Sequence, residues 1–275
     1  MNLLNAIKHK IDVCRAVAFV TYKEWSAYRT HSMVSIIVGP VYFIVQYFIW
    51  TAVYGTADML NGMALSQMIR YFGAAAIIGY LTMDFADWNL DMLIRTGKFL
   101  TYALRPVNHR FFAFSQKVGH RLLGFIVEFI PCVLIFTLLF RIDMRPANAP
   151  WMILSIALAY LMNFFVNYCL GMASFWIVQT GGLRAVYSLL GGVFSGILIP
   201  LVFFPKPLQI IQFFLPFQYT SYVPVMVFLG QYTLGDIQLS IPSIVGIQAI
   251  AVLAAFLLSE LMYKAAMKQF TAVGA

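Results

Sequence analysis

Long apolar runs recur along this chain and predict membrane-spanning helices. The hydrocarbon core of a bilayer is about 30 Å thick, so a helix needs about 20 mostly apolar residues to cross it. Six segments meet this requirement: 33–54, 71–90, 120–140, 151–178, 185–204 and 241–262. The pattern therefore predicts an all-α polytopic membrane protein, with six transmembrane helices in a single domain that covers residues 1–275.

The N-terminal segment 1–31 has a different pattern, that of an amphipathic helix. Its apolar residues recur every three to four positions, and polar residues occupy the other side. The apolar stripe consists of Leu3, Leu4, Ile7, Ile11, Cys14 and Ala18, opposite Lys8, His9, Asp12 and Arg15. Such a helix suits the membrane interface. Alternatively, it packs on the cytosolic side of the protein itself.

The segment 205–230 is apolar and aromatic, but it is interrupted by prolines. Pro205, Pro207, Pro216 and Pro224 do not allow one continuous helix. We predict a re-entrant hairpin, in which two short helices enter the membrane and return to the same side. Broken backbone at that depth must be buried in protein or line a cavity.

Composition and charge support a membrane protein. Of the 275 residues, 62% are hydrophobic and 10% are charged, against about 25% charged in soluble domains. The net charge of +8 arises from residues in the loops, which indicates topology and lipid contacts rather than nucleic-acid binding. Only Arg70, Arg141, Arg145 and Lys206 lie on one side, and the other fourteen basic residues share the opposite side. We therefore predict that both termini are cytosolic.

The sequence contains no recognisable catalytic or metal-binding motif. GxxxxGK[ST], HExxH and GxSxG are absent, and the three cysteines and four histidines have no metal-ligand spacing. We therefore expect no enzyme activity, no metal and no cofactor in this chain.

Four charged residues fall within or beside the predicted spans: Asp84, Asp87, Arg121 and Glu128. Each costs about 2.5–3.5 kcal/mol at the bilayer centre, so each needs a partner or a water-filled pocket. Asp84, Asp87 and Asp91 would share one face of the second helix, from which Asp87 or Asp91 could reach Arg121. An ion pair between helices, a proton or substrate relay, and coupling to a cytosolic motor all remain open.

The loop 91–117 is basic yet rich in Leu, Phe and Tyr. Its residues from Leu93 to Leu104 are predicted to form a short amphipathic helix that ends before Arg105 and Pro106. This helix would lie on lipid headgroups or bind a cytosolic partner.

Three stretches carry a resemblance to a known family. They are YKEWSAYRT before the first span, TGKFLTYALRPV after the second, and SGILIPLVFFPKPLQIIQFFLPFQYTSYVPVMVFLG around the prolines. Together they resemble the permease subunits of ABC-2 type ATP-binding cassette exporters, over essentially the whole chain.

The resemblance implies an N-terminal elbow helix, six spans and outer re-entrant helices. It also implies a separate cytosolic ATPase dimer, which binds the ATP and Mg, and a second permease chain that is identical or homologous. Contacts to the ATPase would involve the elbow, the turn 179–184, and the coupling residues Arg95, Lys98, Arg105, Pro106, Arg110 and Arg184. The outer gate would contain Pro205, Phe214, Pro216, Phe217, Tyr222 and Pro224.

These features predict an exporter permease of the bacterial plasma membrane. An apolar and aromatic lining from the first, second and fifth spans would suit a hydrophobic or amphipathic cargo such as a lipid, peptide or drug. One alternative is a self-sufficient secondary transporter or channel that uses Asp84, Asp87 and Glu128. Another is a polytopic membrane enzyme, which would need a cluster of catalytic polar groups that the sequence does not contain.

Overall fold

A computed structural model describes residues 3–27, 29–177 and 180–270, and 78% of the chain is helical. The start of the elbow (residues 1–2), Tyr28, the end of the fourth span at Val178, and Gln179 of the predicted second ATPase contact lie outside the described residues.

The described residues form twelve α-helices, joined by short π-helical, 3-10 and β elements. The helices are α1 (Leu3–Ser26), α2 (Arg29–Tyr54), α3 (Leu65–Thr82), α4 (Ala86–Arg95), α5 (Phe99–Ala103), α6 (His109–Gly124), α7 (Ile130–Leu134), α8 (Ala149–Met172), α9 (Gly181–Phe194), α10 (Lys206–Phe214), α11 (Tyr222–Leu229) and α12 (Ile241–Gln269). Two β-hairpins pair β1 (Met59–Leu60) with β2 (Met63–Ala64) and β3 (Thr233–Leu234) with β4 (Ile237–Gln238), both antiparallel.

Within the described ranges, four helices are long and apolar enough to cross a membrane: Val34–Tyr54, His109–Leu139, Ala149–Phe175 and Ile241–Gln269. Three of them correspond to the predicted spans 33–54, 151–178 and 241–262. The helix in the third region is longer than the predicted 120–140, because it begins at His109 and takes in residues that we predicted as loop.

The helix His109–Leu139, called helix 109–139 below, accommodates Pro131 through π-helical turns. A proline inside a helix removes one N–H and pushes against the preceding turn. The turns Phe125–Phe129 and Ile135–Leu139 are π-helical, and the N–H of Ile130 donates to the carbonyl of Phe125. The wider turns on both sides keep the helix continuous past the proline.

The second predicted span, 71–90, is wrong at its C-terminal end. Helix α3 ends at Thr82, and a new helix, α4, begins at Ala86. The Asp84 carboxylate accepts hydrogen bonds from the N–H groups of Phe85 (2.9 Å) and Ala86 (3.3 Å). This local bonding competes with helix continuation, so Asp84, Asp87 and Asp91 do not lie on one helix.

The fifth predicted span, 185–204, is also not one helix. Helix α9 ends at Phe194 and is followed by an irregular segment and a 3-10 turn, Leu201–Phe203. Gly196 has a φ of +81°, where a side chain would be strained. Its carbonyl accepts a hydrogen bond of 2.7 Å from the Tyr71 hydroxyl, which fixes the chain at this bend.

The proline-rich segment folds as two short helices, α10 and α11, separated by the 3-10 turn Pro216–Thr220. Pro205, Pro207 and Pro216 stand before or at the starts of these elements, where a missing N–H costs little. The two-helix part of that prediction therefore agrees with the structure.

Helix α8 is the centre of the bundle and packs against α3, α4, α11 and α12. Helices α3, α8 and α12 finish, and α6 and α9 begin, at one end, which we call the basic end. The segments 55–64, 140–148 and 230–240 lie at the other end, which we call the distal end. There the N–H of Ala147 donates to the Phe228 carbonyl at 2.9 Å, and Arg70 donates to the carbonyls of Asp143 and Arg145.

Helix α1 packs along α6, which favours the alternative interpretation of the N-terminal segment. The two helices approach closely where Gly119 faces the Ala18 carbonyl. However, Ile7, Ile11, Phe19 and Val20 remain about half exposed or more. The apolar stripe of the elbow is thus only partly covered by the protein.

The close approach of α1 and α6 generates the first prediction. Replacing Gly119 with Ala places a methyl group on the Ala18 carbonyl, which separates the helices and costs about 1–3 kcal/mol. The thermal unfolding midpoint in detergent should fall. Gly246→Ala in α12 is the control, because nothing lies within 4 Å of an added methyl group there. An equal effect in both variants would contradict the proposed packing.

Candidate functional site

A cavity of about 400 Å³ lies between α2, α3 and α8, and we call it the central cavity. Its wall is mixed in character. Small or apolar lining residues include Val38, Ala75, Ala76, Gly79 and Ile197, and polar ones include Asp84, Asn163, Asn167, Thr220 and Ser221. Such a lining can contact both an apolar body and a polar group of one ligand.

Tyr80 allows α2 to bend past Pro40 along this cavity. Because Pro40 has no N–H, the carbonyl of Ile36 lacks its usual donor within the helix. The Tyr80 hydroxyl lies 2.6 Å from the Ser35 carbonyl and 3.3 Å from that of Ile36, and it accepts from the Gly39 N–H at 2.6 Å. The Tyr80 hydroxyl thus bridges Gly39 and Ser35, which would bond each other directly in a regular helix, and its longer contact reaches the Ile36 carbonyl.

The floor of the central cavity is a buried ion pair between Asp84 and Lys117. The Lys117 Nζ lies 3.6 Å from the Asp84 Oδ2, and the two side chains are 3% and 4% exposed. Lys117 also donates to the carbonyl of Tyr160 at 3.0 Å, and it lies over that residue's ring. Asn167 approaches the same carboxylate oxygen at 3.5 Å.

This ion pair also borders a second cavity. That cavity, of about 280 Å³, lies towards the basic end beside α1, α4 and α6, and we call it the vestibule. Its lining includes Glu24, Asn89, His109 and Lys117. Met83 and Asp84 line both the vestibule and the central cavity.

Arg121 and Glu128 form a second network, within helix 109–139. Their side chains are 3.5 Å apart, Arg121 also donates to the Tyr80 carbonyl at 2.5 Å, and Ser35 donates to Glu128 at 2.7 Å. The predicted pairing of Arg121 with Asp87 or Asp91 is wrong. Arg121 and Glu128 are seven positions apart, about two turns, so both project from one side of their helix.

Asp87 and Asp91 instead bind Arg184, at the start of α9. The Arg184 Nε lies 2.5 Å from Asp87, and its Nη2 lies 3.9 Å from Asp91. Ser174 and Thr180 each donate to Asp91 at 2.8 Å. The face of α4 that carries these two acids thus holds the beginning of α9 and the end of α8.

The predicted coupling residues divide into two groups. Arg110 pairs with Glu260 at 2.5 Å and Arg184 pairs with Asp87, so both hold helices of this chain together. Lys98, Arg105 and Pro106 are exposed, and the Arg95 side chain is 53% exposed with a 3.8 Å contact to Asp91. The exposed group surrounds α5.

Helix α5 is anchored by one buried residue, Phe99. Its ring packs against His109, Phe175 and Phe270 at centroid distances of 5.0–5.5 Å. Leu104, just after the helix, is 78% exposed. Phe99 therefore holds the α5 segment in place, while the segment exposes apolar and basic side chains.

The predicted gate residues also have different environments. Pro205 and Pro216 precede helical turns, and Phe214 is 79% exposed. Phe217, Tyr222 and Pro224 are buried, and the Tyr222 hydroxyl donates to the Thr233 carbonyl at 2.7 Å. The α11 half of the segment thus belongs to the core, and the α10 half is the more exposed one.

Sequence reasoning missed Lys117, Tyr80 and Glu260 as members of these networks. Lys117 lies four positions before Arg121, a helical spacing that would have placed it beside the intramembrane residues. For Tyr80 and Glu260 the signal is weaker, because their roles depend on contacts between distant helices. Over the described ranges, no group of three or more His, Cys, Asp or Glu side chains could hold a metal ion.

The buried ion pair between Asp84 and Lys117 generates the second prediction. Asp84→Asn or Lys117→Met alone leaves an unpaired buried charge and should cost about 3–5 kcal/mol. The double variant removes both charges and should be less destabilised than the sum of the single variants. Thermal unfolding of the four proteins in detergent measures the coupling, and additive losses would contradict a direct interaction between the two residues.

Comparison with known proteins gives one match. The family model described as "ABC-2 family transporter protein" matches residues 41–274, from within α2 to beyond α12. No curated protein and no solved structure matches the chain. Permeases of this family are membrane transport components that generally work with an ATPase partner. The chain belongs to the ABC-2 transporter family.

Proposed function

We propose that this protein is the permease subunit of an ATP-driven exporter in a bacterial plasma membrane. The observation that carries this proposal is the family match over residues 41–274. The central cavity supplies a place for cargo, and the exposed segment around α5 supplies a surface for a motor.

The proposed membrane domain has six crossings. Beyond the four long apolar helices, α3 has 18 residues and is about 27 Å long. Helix α3 is less apolar than the other four. Eleven of its residues are buried in the protein, so few of its side chains would contact lipid and need to be apolar for that reason. Helix α9 together with the α10–α11 hairpin forms the sixth crossing, and the hairpin opens to the distal side.

The orientation follows from charge. Arg70, Arg141, Arg145 and Lys206 are the basic residues assigned to the distal end, and the remaining fourteen are assigned to the basic end. Because short cytosolic loops carry an excess of Lys and Arg, the basic end and both termini face the cytosol.

The motor is a separate ATPase dimer that binds ATP and Mg. Its principal contact is the α5 segment with Arg95, Lys98, Arg105 and Pro106, and α1 gives a second contact. Arg110 and Arg184 support this surface through their ion pairs with Glu260 and Asp87. A second permease chain, identical or homologous, covers α9, which has no buried residue of its own.

ATP binding favours one of two arrangements of the permease pair, because the ATPase dimer contacts α5 differently in each. In the inward arrangement, cargo reaches the central cavity past Asp84. In the outward arrangement, the path opens beside α10 at the distal end, where Phe214 lies. The mixed lining of the central cavity favours an amphipathic cargo such as a lipid, peptide or drug.

One observation favours a second candidate function, a proton- or ion-coupled transporter. Asp84 lies between the two cavities, where a relay group would be expected. Against this, Asp84, Asp87 and Glu128 each have a cationic partner, so a relay would have to break an ion pair. A membrane enzyme is less well supported, since no motif supplies its chemistry.

The α5 surface generates the third prediction. Lys98→Glu with Arg105→Glu reverses two exposed charges, and it should reduce co-purification of the ATPase about tenfold or more without loss of the permease from the membrane. Arg141→Glu with Arg145→Glu, which reverses two exposed charges at the distal end, is the charge-matched control. Unchanged ATPase recovery with the double variant would exclude α5 as the principal contact.

The central cavity generates the fourth prediction. Gly79 has open space around an added side chain, so Gly79→Cys, in a background with Cys14, Cys132 and Cys169 replaced, places a thiol in the cavity. N-ethylmaleimide should label this cysteine at a rate that changes several-fold when the ATPase is trapped with ATP and vanadate. Gly246→Cys, which is also in open space but lies on α12, is the control.

The same measurement separates the two candidate functions. A labelling rate that responds to an imposed proton gradient in the chain alone, and not to ATP, would support the ion-coupled transporter and contradict the exporter.

A further inference from the structure

A third cavity, of about 470 Å³, lies at the basic end between α1, the start of helix 109–139, α8 and α12. We call it the interfacial crevice. It shares no lining residue with the central cavity, and of the ion pairs described above only that of Arg110 with Glu260 borders it. Its volume is in the range of small-molecule sites, which is about 300–1,000 Å³.

The deep part of the interfacial crevice is apolar and mainly aromatic. It is lined by Phe111, Phe114, Leu161, Phe164, Phe165 and Phe256. Phe165 and Leu161 lie about two and three turns before α8 ends at Met172, so this wall is inside a candidate membrane span. An acyl chain matches a wall of this composition at this depth.

The rim of the interfacial crevice is basic. His9 and Lys10 project from α1 and are exposed, and in the part of the chain that the structure describes Lys10 has no ion-pair partner. On the opposite side, Arg110 lines the interfacial crevice and pairs with Glu260 at 2.5 Å. The rim thus combines the unpaired Lys10 with an arginine whose charge is already balanced by a carboxylate.

We infer that the interfacial crevice binds one anionic phospholipid of the adjacent leaflet. Lys10 and His9 donate to the phosphate, and Arg110 adds positive charge from the opposite side. One acyl chain lies on Phe111, Phe165 and Phe256. A zwitterionic lipid has the same chains but no net negative charge, so it gains less from the basic rim.

This lipid would hold α1 to the bundle. Helix α1 packs mainly on α6, whereas the crevice connects its N-terminal half to α8 and α12. The bound lipid therefore adds contacts between the N-terminal half of α1 and these two helices. The inference requires a membrane protein but not an ATPase or a cargo, so it can fail independently of the proposed function.

The test is lipid retention by the full chain, measured by native mass spectrometry in mild detergent. Palmitoyl-oleoyl phosphatidylglycerol is the anionic probe, and the corresponding phosphatidylcholine is the control lipid. We expect one phosphatidylglycerol per chain, in preference to phosphatidylcholine. Lys10→Gln should reduce its retention about fivefold, as expected for the loss of one basic contact at the membrane surface.

Lys8→Gln is the matched control, because Lys8 lies on the same helix and is exposed but does not line the crevice. It should change retention less than twofold. Leu161→Trp keeps every charge and fills the crevice, so it should reduce retention of both lipids. Size-exclusion chromatography checks that Leu161→Trp still folds. If it does not fold, the test rests on Lys10→Gln, which changes only a surface side chain.

Three outcomes would overturn the inference. Equal retention of the two lipids would mean that the basic rim does not select an anion. Equal losses for Lys8→Gln and Lys10→Gln would mean that diffuse surface charge attracts the lipid. A lipid-free dimer would mean that a second copy of the chain fills the interfacial crevice.

Discussion

A proline in a membrane helix frees a carbonyl group that needs a new donor from a side chain, a neighbouring helix or a water, and this constraint governs the arrangement around α2. Pro40 leaves the Ile36 carbonyl without its helical donor. The hydroxyl of Tyr80 enters the helix at this point, with the Ser35 carbonyl at 2.6 Å and the Ile36 carbonyl at 3.3 Å. This solution requires α3 to pass close to α2, which Gly39 permits because it has no side chain. The same part of α3 then supplies Tyr80 and Gly79 to the wall of the central cavity. The satisfied proline and the cavity are therefore products of one helix contact.

Buried charge imposes a second constraint, on how the protein can move. The carboxylates Asp84, Asp87 and Glu128 each have a cationic partner, and removing one member of such a pair costs about 3–5 kcal/mol. A transport cycle that separated these pairs would be slow unless the partners were exchanged. Motions that carry both members of a pair together avoid this cost. Arg121 and Glu128 meet that condition because they share helix 109–139, whereas Asp84 and Lys117 lie on separate elements. The floor of the central cavity is thus the ion pair most sensitive to a relative movement of helices.

The sequence predicts the apolar helices well but not the places where they bend. Spans 33–54 and 241–262 agree with α2 and α12, since uninterrupted apolar composition determines them. Spans 71–90 and 185–204 fail because composition does not reveal that the Asp84 carboxylate bonds its own backbone, or that Gly196 adopts a positive φ. For the candidate site, the expectation that buried charges are paired is correct. The partner of Arg121 could not be predicted, because the choice between Glu128 and an acid on another helix depends on helix rotation.

Basic residues that are exposed and basic residues that already form ion pairs within the chain would contribute differently to the binding of a motor protein. Arg110 and Arg184 are held by Glu260 and Asp87, so a partner protein would gain little new electrostatic energy from them. Lys98 and Arg105 are exposed, and they flank α5, whose Phe99 packs against Phe175 and Phe270. Those two aromatic residues follow the C-terminal ends of α8 and α12. A force applied to α5 therefore acts on close-packed rings at the ends of two long helices, one of which, α8, lines the central cavity. Close-packed side chains deform little, so we expect a movement of α5 to displace the ends of α8 and α12.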